Sequence, residues 1–186
     1  DTHLAETAYV PTVEMVAVCD RHIDLARQAA ARFAVPAAYD DLAQMLSQVR
    51  PDVVHVTTPA ITHAEVATQA LEAGCHVYVE KPFTVDTAQA AAVIGTAEQA
   101  DRLVCVGHDQ LFDPTWLECR SRIADGQIGD VHHVETRLGY PLTGAFGARV
   151  SSDPDHPVRS LPGGLFHNTI SHPLARILDL LHDPEP

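Results

Sequence analysis

The sequence has 186 residues, of which 46% are hydrophobic, so it is long enough to bury the core of one domain or slightly more. Its 25 acidic residues outnumber 12 basic ones and give a formal net charge of -13 at pH 7. That charge repels the phosphates of nucleic acids and of anionic membrane surfaces, so we expect neither class of partner.

Cysteine usage and hydropathy indicate the compartment. Four cysteines are scattered without a CxxC pair, which predicts free thiols in a reducing compartment. No apolar run approaches the roughly 18 residues that a membrane span requires. We therefore expect a soluble, cytoplasmic protein.

From residue 13 to about 107, short apolar runs rich in β-branched residues alternate with Ala-rich segments of helical spacing. This alternation is typical of βαβ units and predicts an α/β fold with a Rossmann-like, doubly wound parallel sheet. The predicted strands are 13–19, 52–58, 76–80 and 103–107, with a weak extra strand at 37–39. The predicted helices are 22–33, 40–49, 63–73 and 86–100, with Asp40, Thr62 and Asp86 as N-caps and Gly74 just after the third helix.

The pattern changes after Asp113. A helix to about residue 124 leads into 131–140, where polar and apolar residues alternate, and this predicts a strand of a different sheet. Residues 141–162 are rich in Pro, Gly, Ser and Asp and predict a long functional loop. Gly163 and Gly164 then open a helix that ends near Leu181.

These patterns divide the chain into two parts. Residues 1–112 form the predicted dinucleotide-binding domain, and residues 113–186 begin a second α/β domain with an open sheet. A dinucleotide-binding unit normally starts with a strand and a GxGxxG turn, but only a helical piece precedes the strand that ends at Asp20. We therefore expect the sequence to lack the first strand and the glycine turn at one end, and several strands of the second domain at the other.

Two segments are candidates for binding a dinucleotide. Asp20 directly follows a strand, where a carboxylate can accept hydrogen bonds from both ribose hydroxyls and so favours NAD over NADP. The alternative is an Asp that caps the following helix, and Arg21 keeps NADP open because a guanidinium can bind a 2′-phosphate. Thr57, Thr58 and Pro59 close the next strand at the edge where ligands bind, although Thr-Pro also simply ends strands.

The segment Glu80-Lys81-Pro82 is the sharpest catalytic candidate. A strand leaving a buried sheet ends here in a charged pair, so the lysine ammonium can polarise a substrate hydroxyl or carbonyl during hydride transfer. The alternative is a solvated loop lysine with Glu80 as its ion-pair partner.

Asn168 and His172 stand four residues apart, so on a helix they share one face. A histidine has an ordinary pKa near 6.5 and can take an alcohol proton at neutral pH while hydride leaves carbon. The alternative is a structural histidine. Three other histidines, His55, His63 and His76, fall on separate elements, so we expect no metal site.

The ordered segments VEMVAVCD, TTPAITHAEVATQALEAGCHVYVEKP, VGHDQLFDP and GGLFHNTISHPL together resemble the Gfo/Idh/MocA oxidoreductases. The resemblance implies that Lys81 contacts substrate and nicotinamide and that His172 is the catalytic histidine. It also implies positions that line or support the cofactor cleft, namely Asp20, Thr58, Pro59, His63, Glu80 and His108.

The resemblance implies an NAD(P)-dependent dehydrogenase or reductase of a sugar, polyol or cyclitol, homo-oligomeric when full length. Family members commonly have Asp where this chain has Asn168, and an amide orients substrate without sharing a proton. Two alternatives stay open: an NAD-dependent glycoside hydrolase, and a nonenzymatic dinucleotide-binding subunit.

Overall fold

The computed structural model describes residues 2–139, 141 and 143–181. The strands are β1 (Val18–Cys19), β2 (Ala38–Tyr39), β3 (Val53–Val56), β4 (His76–Glu80) and β5 (Val104–Gly107). The helices are α1 (Thr2–Thr7), α2 (Ile23–Phe33), α3 (Leu42–Val49), α4 (His63–Glu72), α5 (Thr87–Ala100), α6 (Pro114–Ala124), α7 (Ala145–Ser152) and α8 (Gly164–Leu181). Short 3₁₀ turns span Ala60–Thr62, Asp109–Phe112 and Pro157–Ser160.

The strands form two parallel sheets, which confirms the predicted α/β class. One has the order β3-β4-β5 and the other pairs β1 with β2. In the doubly wound strand order 3-2-1-4-5-6, the strand numbered 1 separates strands 2 and 3 from strands 4, 5 and 6. The break in hydrogen bonding among the described strands lies at that place, and the additional strand stays a prediction.

The core lies between the three-stranded sheet and helices α3, α4 and α5. Alternate residues of β4 are buried, with Val77 and Val79 at 2% and 0% exposure. Helix α4 meets this face through two alanines and Leu71, all fully buried. Alanines let the helix axis approach the sheet closely, and Leu71 fills the space that remains. Burying such a leucine contributes about 2 kcal/mol.

Of the three side chains predicted as N-caps, one caps its helix. Asp86 accepts a hydrogen bond from the Gln89 backbone N–H at 2.8 Å, as predicted. The prediction of Asp40 as an N-cap is wrong, because Asp41 is the residue next to the first turn and accepts from Gln44 N at 2.7 Å. Thr62 makes no side-chain cap to α4, since its hydroxyl donates within the preceding 3₁₀ turn.

Two predicted strands differ from the structure: one is shorter than predicted, and the described residues of the other are not in a strand. Of residues 13–19 only Val18–Cys19 form a ladder, because β2 pairs over two residues and no other described strand accepts the backbone hydrogen bonds of 13–17. Residues 131–139 are not in a strand, since no described segment pairs with them; Tyr140 lies outside the described residues. Alternation identifies a strand-like surface but does not supply the partner strand.

The segment 141–162, predicted as a long functional loop, contains a helix. Helix α7 lies within it and ends where the Arg159 guanidinium donates to the carbonyls of Val150 (2.9 Å) and Ser151 (3.2 Å). A cation there satisfies carbonyls that the helix end leaves unpaired. None of the described helices is long and apolar enough to cross a membrane.

Candidate active site

The register of the three-stranded sheet defines one edge of candidate residues. Val56 stands opposite Val79, and Glu80 stands opposite Gly107. The residues that follow these strands therefore share the carboxyl edge, where ligands bind in doubly wound sheets. They are Thr57, Thr58 and Pro59 after β3, Lys81 and Pro82 after β4, and His108 after β5.

Lys81, the only lysine of the sequence, points across this edge to helix α8. Its Nζ donates to the Asn168 carbonyl oxygen at 3.2 Å and to Asn168 Oδ1 at 3.3 Å. The ammonium is therefore not paired with Glu80 as a solvated loop lysine would be. Burial lowers the pKa of Lys81 below its ordinary value of 10.5, while the Glu80 and Asp109 carboxylates act in the opposite direction.

Both carboxylate oxygens of Glu80 accept hydrogen bonds from other groups. Its Oε2 accepts the backbone N–H of Lys81 at 3.2 Å, and its Oε1 accepts from His3 Nε2 at 2.8 Å. His3 lies on α1, and its Nδ1 is 3.1 Å from Nδ1 of His55 on β3. The ring of His55 in turn stacks on that of Tyr78 with 5.0 Å between centroids. Glu80 is thus held by a group far from it in sequence.

His172 is buried, with 6% of its surface exposed, one helical turn beyond Asn168. Its Nδ1 has no hydrogen-bond partner among the described residues and lies 3.8 Å from Asp109 Oδ1. Burial lowers the pKa of His172 below 6.5, the Lys81 ammonium lowers it further, and the Asp109 carboxylate raises it. A neutral imidazole is therefore favoured at pH 7, which is the form that accepts a proton.

Helix α8 is fixed by its far end. Asp179 accepts from Trp116 Nε1 on α6 at 2.8 Å and pairs with Arg120 at 3.2 Å. The Arg176 guanidinium lies over the Trp116 ring, 5.2 Å from its centroid. These contacts join α8 to α6, which follows β5 closely in the chain, and so hold Asn168 and His172 near the sheet edge.

His63 ties two strand-end loops together from beneath. It is 1% exposed, with Nε2 2.7 Å from the Thr58 carbonyl oxygen and Nδ1 2.9 Å from the Pro82 carbonyl oxygen. A carbonyl only accepts, so each contact requires a ring N–H, and a neutral imidazole, which has one N–H, donates to one of the two carbonyls at a time. His63 thereby supports the loops after β3 and β4 without lining the edge itself.

The other predicted cofactor residues follow different strands. Asp20 follows β1 and accepts the His22 backbone N–H at 2.8 Å, and His22 rather than Asp20 is the N-cap of α2. Arg21 bonds His22 through Nε. His108 has a buried Nδ1 without a described partner, and burial lowers its pKa. No three His, Cys, Asp or Glu side chains of the described part of the chain are placed to hold a metal ion.

Two residues escaped the sequence reasoning, His3 and Asp109. His3 lies 77 positions from Glu80, in a short helix with no motif of its own. Asp109 directly follows His108 at the end of a strand, and that position is the signal that could have identified it.

Comparison with known proteins agrees with this fold. Residues 1–108 match the Gfo/Idh/MocA model, described as an oxidoreductase family with an NAD-binding Rossmann fold. The D-glucoside 3-dehydrogenase of Escherichia coli (strain K12) is 33% identical over 138 residues, which cover 72% of this chain and 39% of that protein.

Two solved structures share the architecture. An NAD binding oxidoreductase from Klebsiella pneumoniae superposes with a TM-score of 0.72 at 25% identity, covering 96% of this chain and 48% of that one. The scyllo-inositol dehydrogenase from Lactobacillus casei, with bound NAD(H) and scyllo-inositol, has a TM-score of 0.64 at 23% identity, covering 69% of this chain and 38% of that one. This second likeness is evidence for the fold alone.

The chain spans about half or less of the length of these relatives. The matched family model nevertheless covers more than half of the chain itself. Together with the parallel sheets, this confirms the resemblance found in the sequence. The chain belongs to the Gfo/Idh/MocA family of oxidoreductases.

Proposed function

We propose that the protein is an NAD(P)-dependent oxidoreductase that transfers a hydride between nicotinamide and a sugar, polyol or cyclitol. The observation that carries this proposal is the contact of Lys81 Nζ with Asn168, one helical turn from His172. This contact brings an ammonium to within one helical turn of a histidine that is favoured in its neutral form. The similarity to the D-glucoside 3-dehydrogenase supports the substrate class.

The residues at the sheet edge fit a dinucleotide. His108 Nδ1 is a buried polar atom without a described partner at this edge, as expected where a polar ligand supplies one. We assign Asp20 to the adenosine ribose, with Arg21 keeping NADP open, and Thr57, Thr58, Pro59 and Pro82 to the walls of the cleft. When bound, the nicotinamide supplies the hydride acceptor or donor.

Side chains of this chain take up the proton of the reacting alcohol and stabilise the charge on its oxygen. Lys81 has three donors, of which the Asn168 contacts use at most two, so one N–H is left to polarise the substrate oxygen. His172 takes the hydroxyl proton as the carbon loses hydride and becomes a carbonyl. Asn168 holds the ammonium in place and offers its amide N–H to a neighbouring hydroxyl.

The second domain enters this proposal through α8. We propose that residues 1–112 bind the dinucleotide and that 113–186 begin the substrate domain, because Asn168 and His172 both come from the latter part. The open sheet expected in that domain is the surface on which we propose that the full-length protein forms a homo-oligomer.

The direct experiment is a calorimetric titration of NAD and NADP into the full-length protein, followed by a screen of sugars and cyclitols for formation of reduced nicotinamide. We expect binding of at least one dinucleotide and net reduction with a member of these classes. Binding with glycoside cleavage and no net reduction would indicate the hydrolase alternative. Binding without any turnover would indicate a nonenzymatic subunit, and absence of binding would contradict the proposal.

A further inference from the structure

His172 lacks a partner on the side that faces Asp109. Its Nδ1 is buried and makes no hydrogen bond among the described residues, although a buried ring nitrogen normally has one. Oδ1 of Asp109 lies 3.8 Å from this nitrogen. Asp109 opens the 3₁₀ turn after β5, and that turn packs against α8.

The remaining charged neighbours of His172 do not offer this contact. Lys81 and His108 carry or acquire positive charge and oppose protonation of His172, whereas Glu80 and Asp109 favour it. Glu80 is already bonded to His3 and to the Lys81 backbone. Asn168, on the same helix face, has its amide oxygen turned to Lys81.

We propose that Asp109 is the positioning residue for His172: its carboxylate accepts the Nδ1–H and so leaves Nε2 as the atom that exchanges the substrate proton. This inference rests on the proposed function and adds a residue to it. A neutral imidazole carries one N–H, and the partner of one nitrogen decides which nitrogen is free to act as a base.

The geometry permits this contact to form. The measured separation exceeds a hydrogen-bond length by about 1 Å. The Asp109 side chain is 77% exposed, so it can rotate without disturbing the core, while the buried His172 ring stays fixed. Contacts of catalytic groups are often long without substrate and shorten in the complex. The carboxylate also stabilises the imidazolium that forms when His172 takes the proton.

The test uses the full-length protein with Asp109→Asn and Asp109→Glu. Asp109→Asn removes the charge at nearly constant shape, so we expect the acid limb of the kcat/KM profile for alcohol oxidation to move to lower pH and kcat to fall roughly tenfold. Asp109→Glu keeps the charge and should keep the limb near its wild-type position. Asp130→Asn, the same change at an exposed residue outside these contacts, should leave both unchanged.

A second readout does not depend on turnover. Nitrogen NMR of the His172 ring reports which nitrogen carries the proton, and we expect protonation at Nδ1 in the wild type and a mixture of tautomers in Asp109→Ala. If the full-length protein turned over no substrate but the tautomer still differed between the wild type and Asp109→Ala, the proposed function would fail while the Asp109 contact stood. Identical ring shifts and identical pH limbs in wild type and variants would overturn the inference.

Discussion

The Nε2 of His3 lies 2.8 Å from Oε1 of Glu80 and joins the first described helix to the end of strand β4. A carboxylate only accepts, so this nitrogen carries the proton and Nδ1 is left to accept from His55 when His3 is neutral. Glu80 is thereby held while its second oxygen fixes the backbone of Lys81. The lysine that we place in the chemistry is thus supported by a residue that carries no recognisable motif.

Replacing His3 tests that support. We expect His3→Ala to lower the free energy of unfolding by about 1 kcal/mol, because the part-buried Glu80 carboxylate loses a hydrogen-bond donor. Urea denaturation of the full-length protein measures this change. His132→Ala, at an exposed residue outside the helices and strands, should cost less. An equal loss in the two variants would show that the His3 contact contributes nothing specific.

Gly107 leaves room for the side chains of Tyr78 and Glu80. A Cβ there would come within 2.9 Å of the Tyr78 hydroxyl and 3.2 Å of Glu80 Oε1. We expect Gly107→Ala to cost about 1–3 kcal/mol, because both side chains must shift, and to weaken dinucleotide binding. Denaturation and calorimetry measure the two effects.

Gly95 gives the matched control for this substitution. It lies within α5, and an added Cβ there meets nothing within 4 Å. Gly95→Ala should therefore stabilise the protein by about 0.5–1 kcal/mol through helix propensity. If Gly107→Ala were as stable as wild type, the close packing of Tyr78 and Glu80 on this glycine would be contradicted.

Three histidines whose pKa values are lowered predict how stability depends on pH. Burial lowers the pKa of His55, His108 and His172 below the ordinary 6.5. At a pH below about 6.5 the unfolded chain therefore binds more protons than the folded chain. The folded state loses stability as pH falls from about 6.5 through the lowered pKa values of the folded state. Denaturant midpoints measured at about pH 8 and about pH 5 should show this loss.

His172→Gln should reduce that pH dependence, because it removes one of the three contributing groups. Since carboxylates titrate lower, the part of the loss that lies just below pH 6.5 is the diagnostic one. A stability that stayed constant from about pH 7 to about pH 5.5 would be incompatible with the lowered pKa values of these rings.

Leu71 tests the core beneath the site. It is fully buried, so Leu71→Ala should cost roughly 2–5 kcal/mol, from lost transfer energy and the cavity left behind. Leu103→Ala, at a side chain 74% exposed, should change stability by less than about 0.5 kcal/mol. Comparable losses in a denaturation experiment would mean that the core lies elsewhere.

The sequence identified those parts of the fold that depend on local patterns. The buried valine runs located β3, β4 and β5 to within about two residues, and Asp86 marked the start of α5. The pattern failed at 13–17 and 131–139, because a ladder requires a partner strand that no local pattern supplies. Asp41 replaced Asp40 as a cap because adjacent carboxylates are indistinguishable by composition.

The candidate site divides in the same way. Lys81 and His172 stand in recognisable positions, at a strand end and on a helix face. Lys81 and Asn168, which precedes His172 by one helical turn, are 87 positions apart in the chain. Only the packing of α8 on the sheet edge brings them together. His3 and Asp109 lie close to Glu80 and His172, residues that are far from them in the chain. The spacing of apolar residues in a sequence does not predict such contacts.

The most direct test of the central claim is Lys81→Ala in the full-length protein, with kcat for substrate oxidation and the Kd for NAD measured side by side. We predict that kcat falls by roughly 100-fold or more while Kd changes little, because the ammonium acts on the reacting oxygen. Equal losses of turnover and of NAD affinity would contradict the role assigned to Lys81.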